Sequence, residues 1–255
     1  MCGRYSLMRV DEAALKRFDL FGLPESWVAH YNIAPTVSAL IVRKKKDASG
    51  PVVGGMNPPA GAIASPNAGE REGALARFGL IPPWSTPAAA AKMINARAET
   101  VADKPAFREA LGARRCLVPA DGFFEWRRLA GQKSKQPYWF QMADREPFAF
   151  AGLWERWYDP AGVRIESFAI LTTRPNTLVA GFHDRMPVIL GPEAYTMWLD
   201  PAVPPPLLEP LYEPIPAERM IVRAVSMRVN NARNDDPGCV EEVTEEPPPK
   251  QGSLF

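Results

Sequence analysis

The chain has 255 residues, 46% hydrophobic and 23% charged, with a formal net charge of +1. Such a length buries a sizeable core as one large domain or two small ones, and no apolar run approaches the roughly 20 residues that span a bilayer. From Asp235 onward six acids (Asp235, Asp236, Glu241, Glu242, Glu245, Glu246) meet one base, Lys250, so residues 1–234 carry +6; a mildly basic body admits a polyanionic partner without requiring one.

In chain order the first feature is Met1-Cys2-Gly3-Arg4-Tyr5. Initiator Met is normally removed before a small residue, which would leave Cys2 with a free α-amine and a thiol on one Cα. These groups titrate at about 7.7–8.0 and about 8.5 when unperturbed. A 1,2-aminothiol condenses with an aldehyde to a Schiff base, and the thiol then closes a five-membered thiazolidine; an internal Cys cannot do this. Taken alone, a Cys near a chain start is also common and inert. Arg4 and Arg9 precede no apolar core, so no signal peptide is expected. Cys2, Cys116 and Cys239 form neither paired metal spacing nor a disulfide framework. A reducing cytoplasm is therefore expected, with no metal and no cofactor; Cys116 reads as a buried small hydrophobe.

Residues 1–10 alternate like a strand, and Asp11–Phe18 reads as a short helix with an acidic start. Tyr31–Thr36 is expected to be a turn, followed by a strand at Ala39–Val42. Residues 44–73, rich in Gly, Pro, Ala and Ser after Lys44-Lys45-Lys46, read as a flexible surface insertion without chemistry. Order is expected to resume at Ala76–Trp84. Then come an Ala-rich turn, Asn95–Thr100, a helix at Lys104–Leu111, and a strand-turn-strand unit over Arg115–Trp126. Pro137–Met142, Phe148–Trp157 and Ile165–Thr172 are aromatic and β-branched strands, with a hairpin turn at Asp159–Gly162. After His183–Leu190 the pattern predicts a helix at Pro192–Leu199, a proline-rich connector at Pro204–Pro216 and a last strand at Ile221–Val229. Strands dominate, helices are short, and no βαβ alternation is visible. The expectation is one α+β domain around a bent, largely antiparallel sheet or barrel-like core with short peripheral helices.

Several polar residues interrupt apolar segments. Glu125 lies among Phe123, Phe124 and Trp126; a carboxylate there would have a raised pKa suited to proton transfer, although simple alternation could equally turn it to solvent. His183 stands beside Asp184 and Arg185 and is a candidate acid–base group, but a single such His is more often structural; His30 takes that plainer reading. Asn95 and Arg97 share a parity if extended. Arg4, Arg97 and Arg185 would together make a phosphate-binding rim, or separately be surface ion-pair residues. Trp84 and Trp126 would stack unpaired bases, or simply fill core.

These segments together resemble the SRAP family (SOS response-associated peptidase, the abasic-site DNA–protein crosslinking proteins). The resemblance rests on Met-Cys-Gly-Arg-Tyr5, Tyr31-Asn-Ile-Ala-Pro-Thr, Phe78-Gly-Leu-Ile-Pro-Pro-Trp84, Asn95-Ala-Arg-Ala-Glu-Thr, Pro119-Ala-Asp-Gly-Phe-Phe-Glu-Trp126 and His183-Asp-Arg-Met-Pro. It runs from Cys2 to about Val243 apart from the insertion. Phe78 stands where the family usually has Trp. The resemblance implies that mature Cys2 forms a thiazolidine with the ring-opened aldehyde of an abasic site in single-stranded DNA. It implies further that Asn95 positions the Cys2 amine or the sugar, that Glu125 shuttles protons, and that His183 is acid–base for ring opening. Arg4, Arg97 and Arg185 would hold flanking phosphates, and Trp84 and Trp126 would wedge the strand. The implied protein is a cytoplasmic, nucleoid-associated monomer that also trims the residue before Cys2. Two other classes stay open: an N-terminal-nucleophile glutamine amidohydrolase, in which the Cys2 thiolate attacks a carboxamide, and a non-catalytic single-strand-binding module. Residues 244–255 read as an acidic, proline-rich disordered tail. Its end, Gln251-Gly-Ser-Leu254-Phe255, resembles the peptide by which bacterial repair proteins dock on the sliding clamp, with Leu254 and Phe255 filling an apolar pocket and Gln251 at its edge.

Overall fold

The computed structural model describes residues 2–45, 70–90, 92–129 and 134–244. Thirteen strands and four short helices follow in the order β1 (Tyr5–Leu7), α1 (Glu12–Phe18), β2 (His30–Ile33), β3 (Ser38–Lys44), β4 (Arg71–Phe78), α2 (Pro87–Ala90), β5 (Asn95–Arg97) and α3 (Pro105–Ala113). Then come β6 (Arg115–Ala120), β7 (Gly122–Arg127), β8 (Gln136–Met142), β9 (Phe148–Tyr158), β10 (Arg164–Thr173), β11 (Met186–Pro187), β12 (Ile189–Leu190), α4 (Tyr195–Leu199) and β13 (Met220–Ala224).

They form two sheets. One is five-stranded and antiparallel throughout, in the order β13-β8-β7-β1-β2. The other closes on itself: β10 pairs β4, β4 pairs β3, β3 pairs β6, β6 pairs β9, and β9 returns to β10, giving a five-stranded barrel flanked by β5, β11 and β12. The expected α+β class and largely antiparallel, barrel-like core are found, with one addition. β4 and β5 both run parallel to β10, so the barrel is mixed. β6 and β7 are the predicted strand-turn-strand unit, yet they belong to different sheets, and the chain changes sheet at Asp121.

That corner is held by hydrogen bonds. Asp121 accepts from the Ser6 hydroxyl and the Met8 backbone N–H, both at 2.5 Å, and its own N–H donates to the Ser6 carbonyl at 2.9 Å. Burial raises the Asp121 pKa. Gly122 follows because a Cβ there would lie 2.1 Å from the Trp139 indole nitrogen. The barrel interior and the inner face of the five-stranded sheet share one apolar core. Tyr5 sits edge-on to both Phe78 and Phe150 at 5.7 Å, and Phe123 stacks on Phe140 at 5.0 Å. Alternate residues of the barrel strands, such as Leu117, Ala151 and Leu171, point outward to a second layer that includes Phe18, Leu111 and Trp198 of the helices. A third, smaller cluster covers the outer face of the five-stranded sheet with Phe124, Trp139, Val225, Val229 and Cys239.

Several sequence expectations change. The strand at the chain start is three residues, all buried, rather than an alternating ten. Tyr31–Ile33 is strand pairing β1, and only the residues after it turn, with Thr36 at φ 79°. The 44–73 insertion is shorter than expected: Lys44 ends β3 and Arg71–Gly73 begin β4, because cross-strand pairing (Lys44↔Arg71, Val42↔Gly73) recruits residues whose composition reads as loop. Residues 46–69 lie outside the described residues. The proline-rich connector contains a 3-10 helix at Pro205–Tyr212, since Pro fixes the φ that such a turn requires. The last strand stops at Ala224, and Met227–Asn230 is a 3-10 turn capped by Ser226. Between His183 and Leu190 the chain forms two short strands, β11 and β12, which pair different neighbours. Helices α1, with Asp11 as its N-cap, α3 and α4, and the Asp159–Gly162 turn, fall where expected. No helix among the described residues is long and apolar enough to cross a membrane.

Candidate active site

The site lies where the start of the chain meets the barrel. β1 pairs β7 with Tyr5 opposite Phe123, and the Phe124 N–H donates to the Arg4 carbonyl at 3.0 Å, so the pairing continues back to Arg4. This carries Cys2 into the core, where it is fully buried. Its Sγ lies 3.9 Å from the Arg4 carbonyl oxygen, a weak sulfur contact. Burial, reinforced by the charge of Glu125, pushes the Cys2 thiol far above its ordinary range.

Alternation in β7 places Glu125. Phe123 points into the shared core and Phe124 into the outer cluster, so Glu125 returns to the inner face and is only 4% exposed. The solvent-facing alternative is excluded. Burial raises its pKa, and the charge of His183 works against that rise. Asn95 comes from β5, held by its parallel pairing to β10 at Ile170. Its side-chain amide donates to the Cys2 carbonyl at 3.1 Å, while its Oδ1 is buried with no hydrogen-bond partner among the described residues.

His183 arrives on the segment after β10. Asn176 Oδ1 accepts from the Val179 N–H at 2.9 Å, and Phe182 inserts edge-on against Tyr138 and Phe140 at 4.7 and 5.0 Å. His183 Nδ1 accepts from the Arg185 backbone N–H at 2.9 Å and also lies 2.8 Å from Asp184 Oδ1. The two contacts ask opposite things of Nδ1. The N–H contact requires a lone pair there and the carboxylate contact a proton, so the two are alternatives.

Cys2, Asn95, Glu125 and His183 are thus brought together. The cationic and aromatic residues divide differently. Arg4 is part of the framework: its guanidinium donates to Asn32 Oδ1 and to the Val229 carbonyl, both at 2.9 Å, and lies 5.8 Å from the Trp126 ring centre. Trp126 in turn donates from its indole nitrogen to Asn230 Oδ1 at 2.6 Å. Arg4 and Trp126 line one open groove with Gly3, Pro35 and Lys135. Arg97 is exposed, with no side-chain hydrogen bond or ion pair among the described residues, and Trp84 is 67% exposed. Arg185 is largely buried and gripped at both Nη atoms by Glu99, at 2.6 and 2.8 Å. Gln251, Leu254 and Phe255 lie outside the described residues.

Two residues central to this framework stood in the sequence without being singled out. Asn32 is 1% exposed; besides accepting from Arg4, its amide donates to the carbonyls of Val229, Asn231 and Asn234. Asp235 accepts from the Tyr31 and Asn32 N–H groups and contacts His30 Nδ1 at 2.6 Å. His30 therefore has the structural role expected of it. These contacts join positions some 200 apart in sequence, and local pattern carries no signal of them.

The family model described as SOS response associated peptidase (SRAP) matches residues 1–232. The chain belongs to the SRAP family. Among SRAP relatives, "Abasic site processing protein YoqW" of Bacillus subtilis is 38% identical over 245 residues, covering 94% of this chain and 99% of that protein. "Abasic site processing protein HMCES" of Rattus norvegicus is 33% identical over 195 residues, covering 64% and 55%. A crystal structure of a protein from Bacteroides thetaiotaomicron superposes with a TM-score of 0.74 at 26% identity, covering 95% of this chain and all of that one. One from Bordetella bronchiseptica superposes at 0.70 with 28% identity, covering 89% and 100%.

Proposed function

We propose that this SRAP chain captures abasic sites in single-stranded DNA as a covalent thiazolidine on Cys2. One observation carries the reading. A buried Cys2 is held through its carbonyl by Asn95 Nδ2, while the same amide's Oδ1 has no partner among the described residues and Glu125 acts on the thiol from the inner sheet face. Removal of Met1 would give Cys2 an α-amine, for which Asn95 Oδ1 is a ready acceptor. The names of the curated relatives direct the choice of aldehyde to an abasic sugar.

The chemistry then runs in two balanced steps. The amine adds to the ring-opened aldehyde and expels one water, giving the protonated Schiff base. The thiol sulfur attacks the imine carbon, forming the C–S bond as the S–H proton is passed on and the ring nitrogen stays as a secondary amine. A thiol pushed up by burial waits in its protonated form, so a base is needed at the moment of attack. Glu125, with a carboxyl raised by burial, is suited both to accept that proton and to give one to the leaving water. His183 serves the sugar's ring oxygen and hydroxyl during opening. Arg97 and Trp84, exposed at the rim, meet the flanking phosphate and base, and Arg4 and Trp126 border the groove along which the strand leaves. Release of Met1 by the same residues is the peptidase step that fits this arrangement.

Intact-mass measurement of the protein mixed with an abasic single-stranded oligonucleotide tests the reading. The expected species is the protein lacking Met1 plus the oligonucleotide less one water, absent for Cys2→Ala. Glutamine hydrolysis without an adduct would transfer the protein to the N-terminal-nucleophile amidohydrolases. Reversible binding alone would make it a single-strand-binding module.

A further inference from the structure

A cleft of about 410 Å³ opens on the outer face of the five-stranded sheet. Alternation separates it from the Cys2 site. In β8, Tyr138 and Phe140 point into the shared core, and Trp139 points the other way. Gln141 shares the face of Trp139, and Arg223 lies directly opposite Trp139 in β13. Glu125 is on the inner face, so the cleft and the Cys2 chemistry occupy opposite sides of one sheet.

Three arginines, Arg9, Arg145 and Arg223, line this cleft, together with two acidic residues, Asp11 and Asp121. The arginines' charge is only partly answered. Asp121, at the floor, is already engaged by Ser6 and the Met8 N–H. Arg9 has a single long contact, 3.8 Å to Asp11, with both side chains at least half exposed; such a pair binds weakly. Arg145 has no hydrogen bond or ion pair through its side chain among the described residues. It is held at φ 59° in the loop between β8 and β9 by its N–H to the Met142 carbonyl. A left-handed non-glycine residue is costly and persists where something fixes it. Arg223 reaches Glu242 at 3.2 Å and Gln141 Oε1 at 2.5 Å, but its buried Nε has no hydrogen-bond partner among the described residues. Trp139 is 3% exposed and its ring is covered by the Arg223 guanidinium at 5.1 Å. The cleft therefore offers charged forks and no free aromatic plate.

We propose that this cleft is a phosphate-binding site, in which Arg9, Arg145 and Arg223 hold the oxygens of one phosphate group. Arginine's planar fork matches a phosphate, and the volume accommodates the group with the sugar or ester it is attached to. Two sources share this chemistry: the backbone of a nucleic-acid strand reaching around the protein, and a free phosphate or mononucleotide. The site stands independently of the thiazolidine reading, because no residue of it touches Cys2, Asn95, Glu125 or His183.

Titration of the full chain with inorganic phosphate, followed by amide and arginine Nε–H NMR signals, reads the site directly. Signals of Gln141, Arg145 and Arg223 should move, and Arg9→Ala/Arg145→Ala should weaken the interaction at least about tenfold. Both replaced side chains are exposed, so the double variant should keep the wild-type melting temperature. Its affinity for a long undamaged single strand is measured against salt in parallel. A slope reduced by about 0.7 per lost contact identifies a nucleic-acid backbone as the source; an unchanged slope beside a lost phosphate response identifies a free phosphate compound. Crosslinking of a short abasic oligonucleotide should be unaffected, which separates this site from the Cys2 reading. The assignment is overturned if neither phosphate shifts nor salt slope respond to the double variant, or if acetate moves the same signals as strongly as phosphate.

Discussion

The side-chain amide of Asn95 donates to the Cys2 carbonyl oxygen at 3.1 Å. Through that bond β5, a strand flanking the barrel, fixes the residue that leads into the five-stranded sheet. The same amide has a second, unused polar end. Asn95→Ala should therefore cost more in rate than in stability. Loss of one hydrogen bond is worth about 1 kcal/mol, whereas misplacing a reacting group by an ångström costs about a hundredfold. Single-turnover crosslinking should fall 10- to 100-fold with a melting temperature close to wild type. A large drop in melting temperature with an unchanged rate would show that Asn95 only holds the fold.

Cys2→Ala should abolish the stable adduct while retaining most of the affinity for single strands. Cys2→Ser keeps the amine and should give only a weak adduct, trapped by borohydride. A tag that blocks exposure of the Cys2 amine should behave like the alanine variant. A stable adduct from Cys2→Ala would rule out the aminothiol mechanism.

Glu125 supplies a prediction with a sign. Its folded-state pKa is raised by burial, so the folded protein favours the protonated carboxyl. The stabilisation is complete below the ordinary carboxylate pKa of about 4.3 and is lost as pH rises through the raised value. Glu125→Gln has no such loss. The melting temperature of the variant, relative to wild type, should climb across that window and level off above it. Its crosslinking rate should fall by about 10²–10⁴, and the acid limb of the wild-type pH–rate profile should lie above the usual carboxylate range. A flat difference in melting temperature across pH would mean that the carboxyl is not desolvated as the geometry implies.

The arginines should not behave alike. Arg97 is exposed and without an ion pair among the described residues, so Arg97→Ala should lower the salt slope of single-strand binding by about 0.7. Arg185 is held at both Nη atoms by Glu99, and a phosphate would have to displace that carboxylate. Arg185→Ala should therefore change the slope less, and Glu99→Gln should tighten binding. The hydrogen bond from Arg185 lowers the Glu99 pKa. The pair's stabilisation is thus present at neutral pH and lost as pH falls through that lowered value. Equal slope changes for Arg97→Ala and Arg185→Ala would contradict this division.

Asn32→Ala should be the most damaging single change near the site. It strips one of the two partners from Arg4 Nη1 and a donor from the carbonyls of Val229, Asn231 and Asn234. Buried groups left unsatisfied cost about 1–3 kcal/mol each, though waters and residual contacts will replace some of these bonds. Urea unfolding should show a loss of about 2 kcal/mol or more with an unchanged m-value. A loss below about 0.5 kcal/mol would show that water replaces Asn32 fully.

What could be read from the sequence follows the range of the forces involved. Helix α1 announces itself through Asp11 and its acidic first turn, and the β9–β10 hairpin through Asp159–Gly162; both are local. Cys2, Asn95, Glu125 and His183 were visible as chemically odd residues in apolar company and as members of family motifs. Their convergence was not visible, because it depends on the chain changing sheet at Asp121. Arg185 looked like its fellow arginines because its partner, Glu99, is 86 residues away. The limits of the 44–73 insertion were misplaced because Lys44 and Arg71–Gly73 owe their extended form to each other, not to their own composition.

β1 has only three residues, yet it lies inside the five-stranded sheet, flanked by β7 on one side and β2 on the other. Any load on Cys2 is therefore delivered to a strand bonded along both edges. Antiparallel bonds run perpendicular to the strands, so a pull along the chain shears them together and does not peel them one by one. On the proposed reading, a motor advancing on the attached DNA strand would meet a mechanical anchor. A strand held along both edges would be the first to feel the force.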